Sequence, residues 1–270
     1  MQIVTVVNCP LCHSTEHKIY AVLDHRELRI CLECKHLFAG KFDKQRMQKV
    51  YNEEYHGSEK DMVDWNLRNN NVWEGLCRNI KKYLEGKGVR LLDMGAGTGG
   101  FALKIKERYP EVALTLIENS YFAKIFLKNN IKDAAIYGDL FELESAMDSG
   151  KFDVITILQT LEHLENPKEI CENLYGILKN GGILLLTVPN RKSYKVLFNG
   201  INDGLCFSNQ THIHFFDRAG MKKMLLDCGF SKVKRVVQLG GSNHDRLMSF
   251  FQWILRLLGF STENRFVAIK

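Results

Sequence analysis

The sequence has no run long and apolar enough to form a membrane helix. Its longest apolar strand is Ile183 to Val188, and the apolar stretch near the C-terminus is broken by Gln252 and Arg256. Met1 to Val7 carries no basic residues and runs straight into a cysteine pair, so a secretory signal is not expected there. There is no dense Lys/Arg run, no internal repeat and no low-complexity segment. A formal net charge of +6 is mildly basic and is not by itself a nucleic-acid footprint. It suits an anionic or phosphate-bearing small substrate. What remains is an ordinary globular composition, 45% hydrophobic and 25% charged over 270 residues, enough for one large or two small domains. A cytoplasmic location without a membrane span is the expectation.

The most informative stretch is Leu91-Leu-Asp-Met-Gly-Ala-Gly-Thr-Gly99. An apolar strand ends in Asp93, and Gly95, Gly97 and Gly99 follow at every second position. Glycine lets backbone N–H groups approach a ligand with no Cβ in the way. A helix opens at Phe101 and is closed by Pro110. Strand, glycine loop and helix make the first half of a nucleotide-binding βαβ unit. The spacing is G-x-G-x-G rather than the dinucleotide G-x-G-x-x-G, and no Lys-Ser/Thr follows for a triphosphate. The loop therefore points to a nucleoside cofactor without a pyrophosphate. The bland alternative is a tight turn that binds nothing.

Four features follow in order. Val112 to Glu118 is a second apolar strand ending in a carboxylate, about 20 residues on, where a ribose-binding acid belongs; a solvated strand end is the alternative. Ala134 to Asp139 and Leu140 is a third strand with an acid after it, or a turn residue beside Gly138. Phe152-Asp-Val-Ile-Thr-Ile-Leu-Gln-Thr-Leu-Glu-His163 is a buried strand running into a polar loop; Asn166 then caps a helix with Pro167 in its first turn. Leu178-Lys-Asn-Gly-Gly-Ile-Leu-Leu-Leu-Thr-Val-Pro189 ends that helix at Gly181-Gly182 and begins a fifth strand.

This succession resembles the class I S-adenosylmethionine (SAM)-dependent methyltransferases. "FDVI…LEHLENP…LKNGGILLLTVPN" is similar to their ubiquinone-type O-methyltransferase branch. The resemblance implies an α/β, Rossmann-like, seven-stranded doubly wound sheet with its last strand antiparallel, completed by Phe230 to Leu239 and Arg265 to Ile269. It also implies a SAM site formed by Asp93, Gly95, Ala96, Gly97, Gly99, Glu118, Asp139, Leu140 and Gln159. Asp139 would meet the adenine amino group, and the next backbone N–H a ring nitrogen.

Two C-x-x-C pairs, Cys9/Cys12 and Cys31/Cys34, match a structural zinc ribbon over residues 1–40. Each turn aims two sulfurs at one ion, and the two pairs complete a tetrahedral set with no open position. Lys18 to Asp24 and Glu27 to Ile30 read as a hairpin too small to fold unaided. A disulfide framework is disfavoured in a reducing compartment, and a redox site would need a βαβ setting. His13, His17, His25 and His36 lie nearby and read as surface residues. Ribbon knuckles usually carry Gly after the second Cys; His13 and Lys35 stand there. Cys77, Cys171, Cys206 and Cys228 show no ligand spacing. A ribbon ahead of a SAM fold resembles a group of bacterial sugar and secondary-metabolite methyltransferases.

Residues 41–85 read as helices, Lys44 to Tyr55 and Asp61 to Leu84, the latter with Val63, Leu67, Trp73, Leu76, Ile80 and Leu84 near one face. They either cap the cofactor site or simply pack, and Tyr51, Tyr55 and His56 are candidates to reach it. The methyltransferase domain is expected over 86–270, with substrate-side insertions at 190–217 and 240–262. In Asn209-Gln-Thr-His-Ile-His214, alternation puts His212 and His214 on one face. Asp217 caps the next helix, which ends at Gly229. The apolar helix 246–259 is a candidate homodimer interface.

The leading expectation is methyl transfer to a small-molecule acceptor (sugar, phenolic or secondary-metabolite intermediate). A hydroxyl or carbon acid needs a base; His163 is the first candidate, with His212 and His214 as alternates. Two histidines also begin a metal site, but the sequence shows no third ligand. The competing classes are an RNA- or tRNA-modifying methyltransferase using the ribbon as a nucleic-acid reader, and an inactive scaffold. The base-methylating Asn/Asp-Pro-Pro-Tyr/Phe motif is absent after the fourth strand, where Gln159-Thr-Leu-Glu162 stands, and the glycines and acids are intact.

Overall fold

The computed structural model describes residues 2–23, 26–50, 57–146, 151–202, 206–236, 254–255 and 257–270. Tyr51, Tyr55, His56, His25 and most of the 246–259 helix lie outside them.

The large sheet is built from β5 (Arg90–Met94), β6 (Ala113–Ile117), β7 (Ala134–Tyr137), β8 (Phe152–Leu158), β9 (Leu178–Pro189), β11 (Lys232–Arg235) and β12 (Glu263–Ile269). Their order is β11-β12-β9-β8-β5-β6-β7. β12 runs antiparallel to β9, while β5 to β9 pair in parallel. This is the seven-stranded, doubly wound sheet the sequence implies. Its central strands β5, β8 and β9 are near-continuous apolar runs because helices cover both faces. Within each strand the two faces alternate: Leu92, Met94, Ile155, Ile157 and Leu186 pack under α7 (Pro167–Ile177) and α9 (Arg218–Asp227). Leu91, Val154 and Leu185 pack under α3 (Asn70–Leu84), α4 (Gly100–Arg108) and α5 (Tyr121–Asn130). Each such side chain contributes about 1.5–3 kcal/mol by leaving water. β5 is followed by β6 on one side and flanked by β8 on the other, so the crevice at its C-terminal end is the topological switch point.

The N-terminal sheet contains β1 (Ile3–Thr5), β2 (His17–Leu23), β3 (Arg26–Cys31) and β4 (Leu37–Asp43), in the order β1-β4-β3-β2. A fifth strand comes from far along the chain: β10 (His214–Phe215) pairs with β4 beside Phe38 and Leu37. The shared core includes Leu28, Leu37 and Phe42 from the N-terminal side and Cys206, Phe207, Ile213 and Phe215 from the later segment.

Several local expectations need correction. Helix 61–84 is two helices, α2 (Glu59–Arg68) and α3, broken at Asn69. The break resets the face, so Leu76, Ile80 and Leu84 are buried while Val63 and Leu67 face solvent. α1 (Lys44–Lys49) starts on an Asp43 cap. Asn166 stands at the N-cap of α7 without a side-chain capping bond. α7 already ends at Ile177, and Gly181-Gly182 lies inside β9, where the pairing with β8 shifts register. Asp217 does cap α9, accepting from Gly220 N at 2.9 Å.

Candidate active site

One cleft of about 2000 Å3 runs across the C-terminal ends of the parallel strands. Typical single-ligand sites enclose roughly 300–1,000 Å3, so this one has room for two molecules side by side.

The glycine loop forms one end. Gly95 and Ala96 donate their N–H groups to Ile117 O, stitching the loop to β6. Gly95 (φ +76°) has no space for a side chain: a Cβ would sit 2.3 Å from Thr160 Oγ1. Gly97 (φ +54°) is the opposite case, since a Cβ there meets no protein atom within 4 Å and the residue lines the cleft. Gly99 (φ +70°) does not line it; a Cβ would strike Leu127 and Ile131 on α5 and beyond. Its glycine is therefore a packing requirement.

The acids behave differently from one another. Glu118 is buried, with Oε2 accepting from Gly97 N and Oε1 from Ser120 N, both at 2.7 Å. It fixes the height of the glycine loop. Asp93 lies on the cleft floor and accepts from Thr156 Oγ1 at 2.6 Å. Burial pushes its carboxyl up to about 7, partly countered by that hydrogen bond. Asp139 and Leu140 line the cleft, and Asp139 Oδ1 accepts from Glu142 N at 2.7 Å, capping α6 (Leu140–Ala146). Gln159 also lines it, in the left-handed region at φ +51°, with Nε2 donating to Thr187 Oγ1 and Glu263 Oε2. A non-glycine residue held there is strained, a condition that clusters at working sites.

The Asp93 shift has a testable sign. Its carboxyl titrates near 4 when unfolded and near 7 when folded, so the native state holds the extra proton between those values. Stability from this group is full below pH 4 and falls as pH rises to 7. In ligand-free protein, Asp93→Asn should flatten that fall and gain on the order of a few kcal/mol over wild type above pH 7. Denaturant melts at pH 5 and 8 read it; equal pH slopes in both proteins would refute it.

At the other end, the 3-10 turn Leu161–His163 places Glu162 and His163 against the segment 206–213. Glu162 is 0% exposed, and neither carboxylate oxygen has a hydrogen-bond partner among the described residues. Burial pushes it up to about 8. His212 Nε2 lies 3.9 Å from Glu162 Oε1. A carbonyl can only accept, so the histidine nitrogens facing Thr211 O (His163 Nδ1, 3.0 Å) and Cys206 O (His212 Nδ1, 2.9 Å) carry the protons. Each ring keeps Nε2 as its lone-pair nitrogen. Burial lowers His163 to about 4 and His212 to about 3, so both are neutral at pH 7. Ligand atoms of Glu162, His163 and His212 lie within 4.8 Å of one another, a set able to hold a divalent ion. The histidines brought together are His163 and His212 rather than the His212 and His214 of the sequence reading, and Glu162 is a candidate ligand the sequence did not reveal.

His214 is placed elsewhere. It does not line the cleft; it stands on β10 within the N-terminal sheet, its Nδ1 3.1 Å from His36 Nε2. His36 is buried and stacked on Phe38, not a surface residue.

The four cysteines converge. Cys9 and Cys34, and Cys12 and Cys31, are paired at 3.5 Å between sulfurs. Tetrahedral zinc with Zn–S near 2.3 Å requires about 3.8 Å, so the residues fit the ion. Left as a thiol, Cys34 is pushed up by its hydrogen bond to Cys9 and by burial. His13 and Lys35 both take φ +60°, the left-handed knuckle conformation that glycine usually fills.

Sequence reasoning missed Asn66, which clamps the loop by donating to Thr98 O at 2.7 Å and accepting from Thr98 Oγ1. It missed Thr156 too, although a hydroxyl inside an apolar strand is a readable signal.

A family model described as a methyltransferase domain matches residues 68–235. The ubiquinone biosynthesis O-methyltransferase of Psychrobacter arcticus is 30% identical over 154 residues, covering 54% of this chain and 60% of that protein. The match thus spans less than two thirds of this relative's length. The malonyl-[acyl-carrier protein] O-methyltransferase of Geobacter sulfurreducens is 23% identical over 200 residues, covering 69% of this chain and 73% of its own. Among solved structures, the plantazolicin methyltransferase BpumL in complex with SAH superposes with a TM-score of 0.58 at 14% identity, over 83% of this chain and 94% of that one. That likeness is one of fold.

Proposed function

We propose, for a chain that belongs to the methyltransferase-domain family, that it transfers a methyl group from SAM to an oxygen of a small-molecule acceptor. One observation carries the reading: a single cleft joins the glycine loop, Asp93 and Asp139 to the Glu162–His163–His212 cluster. The first end suits a nucleoside and the second an acceptor. The relatives named above as O-methyltransferases favour oxygen over nitrogen or sulfur. Sugars, phenols and secondary-metabolite intermediates are the acceptor classes.

The step is an in-line displacement. An acceptor oxygen forms a bond to the methyl carbon as the S–CH3 bond breaks, and the electron pair goes to sulfur, leaving S-adenosylhomocysteine (SAH). Holding the two reactants aligned supplies much of the acceleration. The acceptor's proton goes to the lone pair of His163, whose ring is fixed by Thr211 O. His212 is held the same way by Cys206 O.

Glu162 favours a second reading of the same cluster. A buried carboxylate with neither oxygen satisfied costs several kcal/mol, and a divalent ion held with His163 and His212 would answer it. Such an ion lowers the pKa of a hydroxyl bound to it. A SAM-consumption screen over phenolic, sugar-nucleotide and tRNA acceptors tests the function, run with and without chelator. Turnover on tRNA alone would overturn the small-molecule reading.

Zinc is proposed at Cys9, Cys12, Cys31 and Cys34. Protein purified without chelator should carry one zinc per chain, and Cys9→Ser with Cys34→Ser should lose it. Metal analysis that finds no zinc with all thiols intact would rule the site out.

A further inference from the structure

The N-terminal sheet is bound to the acceptor end of the cleft by an unusual residue. Arg26 is 2% exposed, at the start of β3. Its Nη1 donates to Asn209 O at 2.6 Å and His212 O at 2.8 Å, and its Nη2 to Phe207 O at 2.6 Å. The guanidinium thus gathers three main-chain carbonyls of a segment with little regular structure. That segment supplies the carbonyls that fix both catalytic-cluster histidines, Thr211 O for His163 and Cys206 O for His212. A backbone ladder runs alongside: Ala39 N donates to Ile213 O at 2.8 Å, and Ile213 N to Glu162 O at 2.9 Å. The same module reaches the cleft itself through Phe42, Lys44, Met47 and Gln48. Among the described residues, the loop at the cofactor end is held instead by Ile117, Glu118 and Asn66.

We propose that Arg26 is a positioning residue for the acceptor end, and that metal closure of the four-cysteine cluster keeps Arg26 in register. The cluster ties the loop after β1 to the β3–β4 turn, so it braces the strand on which Arg26 stands. Loss of the metal then slackens 206–213 and both histidines while the cofactor end stays formed. The inference rests on the methyltransferase reading for the identity of the two ends.

The test uses the full chain with SAH as the probe. Amide hydrogen exchange is followed in 206–216 and in β5 and β8, and SAH affinity is measured by calorimetry. The proteins are wild type, wild type stripped of zinc, Arg26→Met and Arg26→Lys. Exchange in 206–216 should quicken at least about tenfold in the stripped protein and in Arg26→Met, on the scale of local opening. Arg26→Lys, which keeps a donor for the carbonyls, should fall between. β5 and β8 should keep their protection, and SAH affinity should stay within about twofold. If Arg26→Met fails to fold, the stripped wild type and Arg26→Lys carry the test. Unchanged exchange in 206–216, or SAH affinity falling in step with it, overturns the proposal. Failure of wild type to bind SAH would instead overturn the methyltransferase reading.

Discussion

Gly97→Val should lose SAH affinity by about 100-fold or more, the equivalent of ~2.7 kcal/mol, while the protein stays folded. The side chain would enter the cleft, because a Cβ at Gly97 meets no protein atom within 4 Å. It would also stand beside the N–H that Glu118 holds at 2.7 Å. The variant's own cost is the positive φ of +54°, about 1–2 kcal/mol for a residue with a Cβ. Gly99→Val is the control with the opposite signature. Its Cβ would lie 2.5 Å from Leu127 Cδ2 and 2.9 Å from Ile131 Cδ1, so overpacking adds about 1–3 kcal/mol to the same backbone strain. Melting temperature should therefore drop further in Gly99→Val, and affinity further in Gly97→Val. Calorimetry and thermal melts on both variants separate the two effects; full SAH affinity in Gly97→Val would remove the loop from the cofactor site.

The second large effect is on turnover. His163→Ala and His212→Ala should each slow methyl transfer by about 10²–10⁴-fold, the usual range for a positioned acid or base, with SAH affinity unchanged. His214→Ala should cost far less, since that ring meets His36 outside the cleft. The pH profile adds an independent sign. A base works deprotonated, so a rate limited by His163 rises through about pH 4 and is flat above it. If the Glu162 anion is required in the ion-free protein, the rate keeps rising through about pH 8, and a divalent ion bound there would draw that limb to lower pH. Glu162→Gln should remove that upper limb. Wild-type turnover in all three histidine variants would leave alignment as the whole of catalysis and favour an acceptor already nucleophilic at neutral pH.

The sheet was readable because β5, β6 and β8 are short, largely apolar runs with a turn signal at the end. β5 to Gly99 and β8 to His163 are local patterns, and local patterns survive in a sequence. The break at Asn69 does leave a trace, since Asn69, Asn70 and Asn71 are weak helix formers and the apolar step from Leu67 to Trp73 falls off the 3.6-residue period. His163 stood out by type, but its neutrality and the missing partners of Glu162 come from burial by residues 206–213, about 50 positions away. Arg26 gave no signal at all. A basic residue in a short hairpin strand reads as solvent-facing until β10 closes over it. His36 misled for the same reason. The cysteine spacing pointed to a closed cluster, and the left-handed His13 and Lys35 show that the knuckle geometry does not depend on glycine.

β4 has a further consequence for how the chain is made. One of its edges is completed by β10, and 178 positions separate His36 from His214. The N-terminal sheet therefore leaves the ribosome long before its last strand exists. At about 5–20 residues per second, the interval is on the order of 10–40 s. During it Phe38 and its neighbours lie on an open sheet edge, the kind of surface that recruits other chains. A metal bound early would hold the hairpin but leave that edge bare. The vulnerable species in synthesis is thus the half-made protein, and its hazard ends only when residues 206–216 arrive.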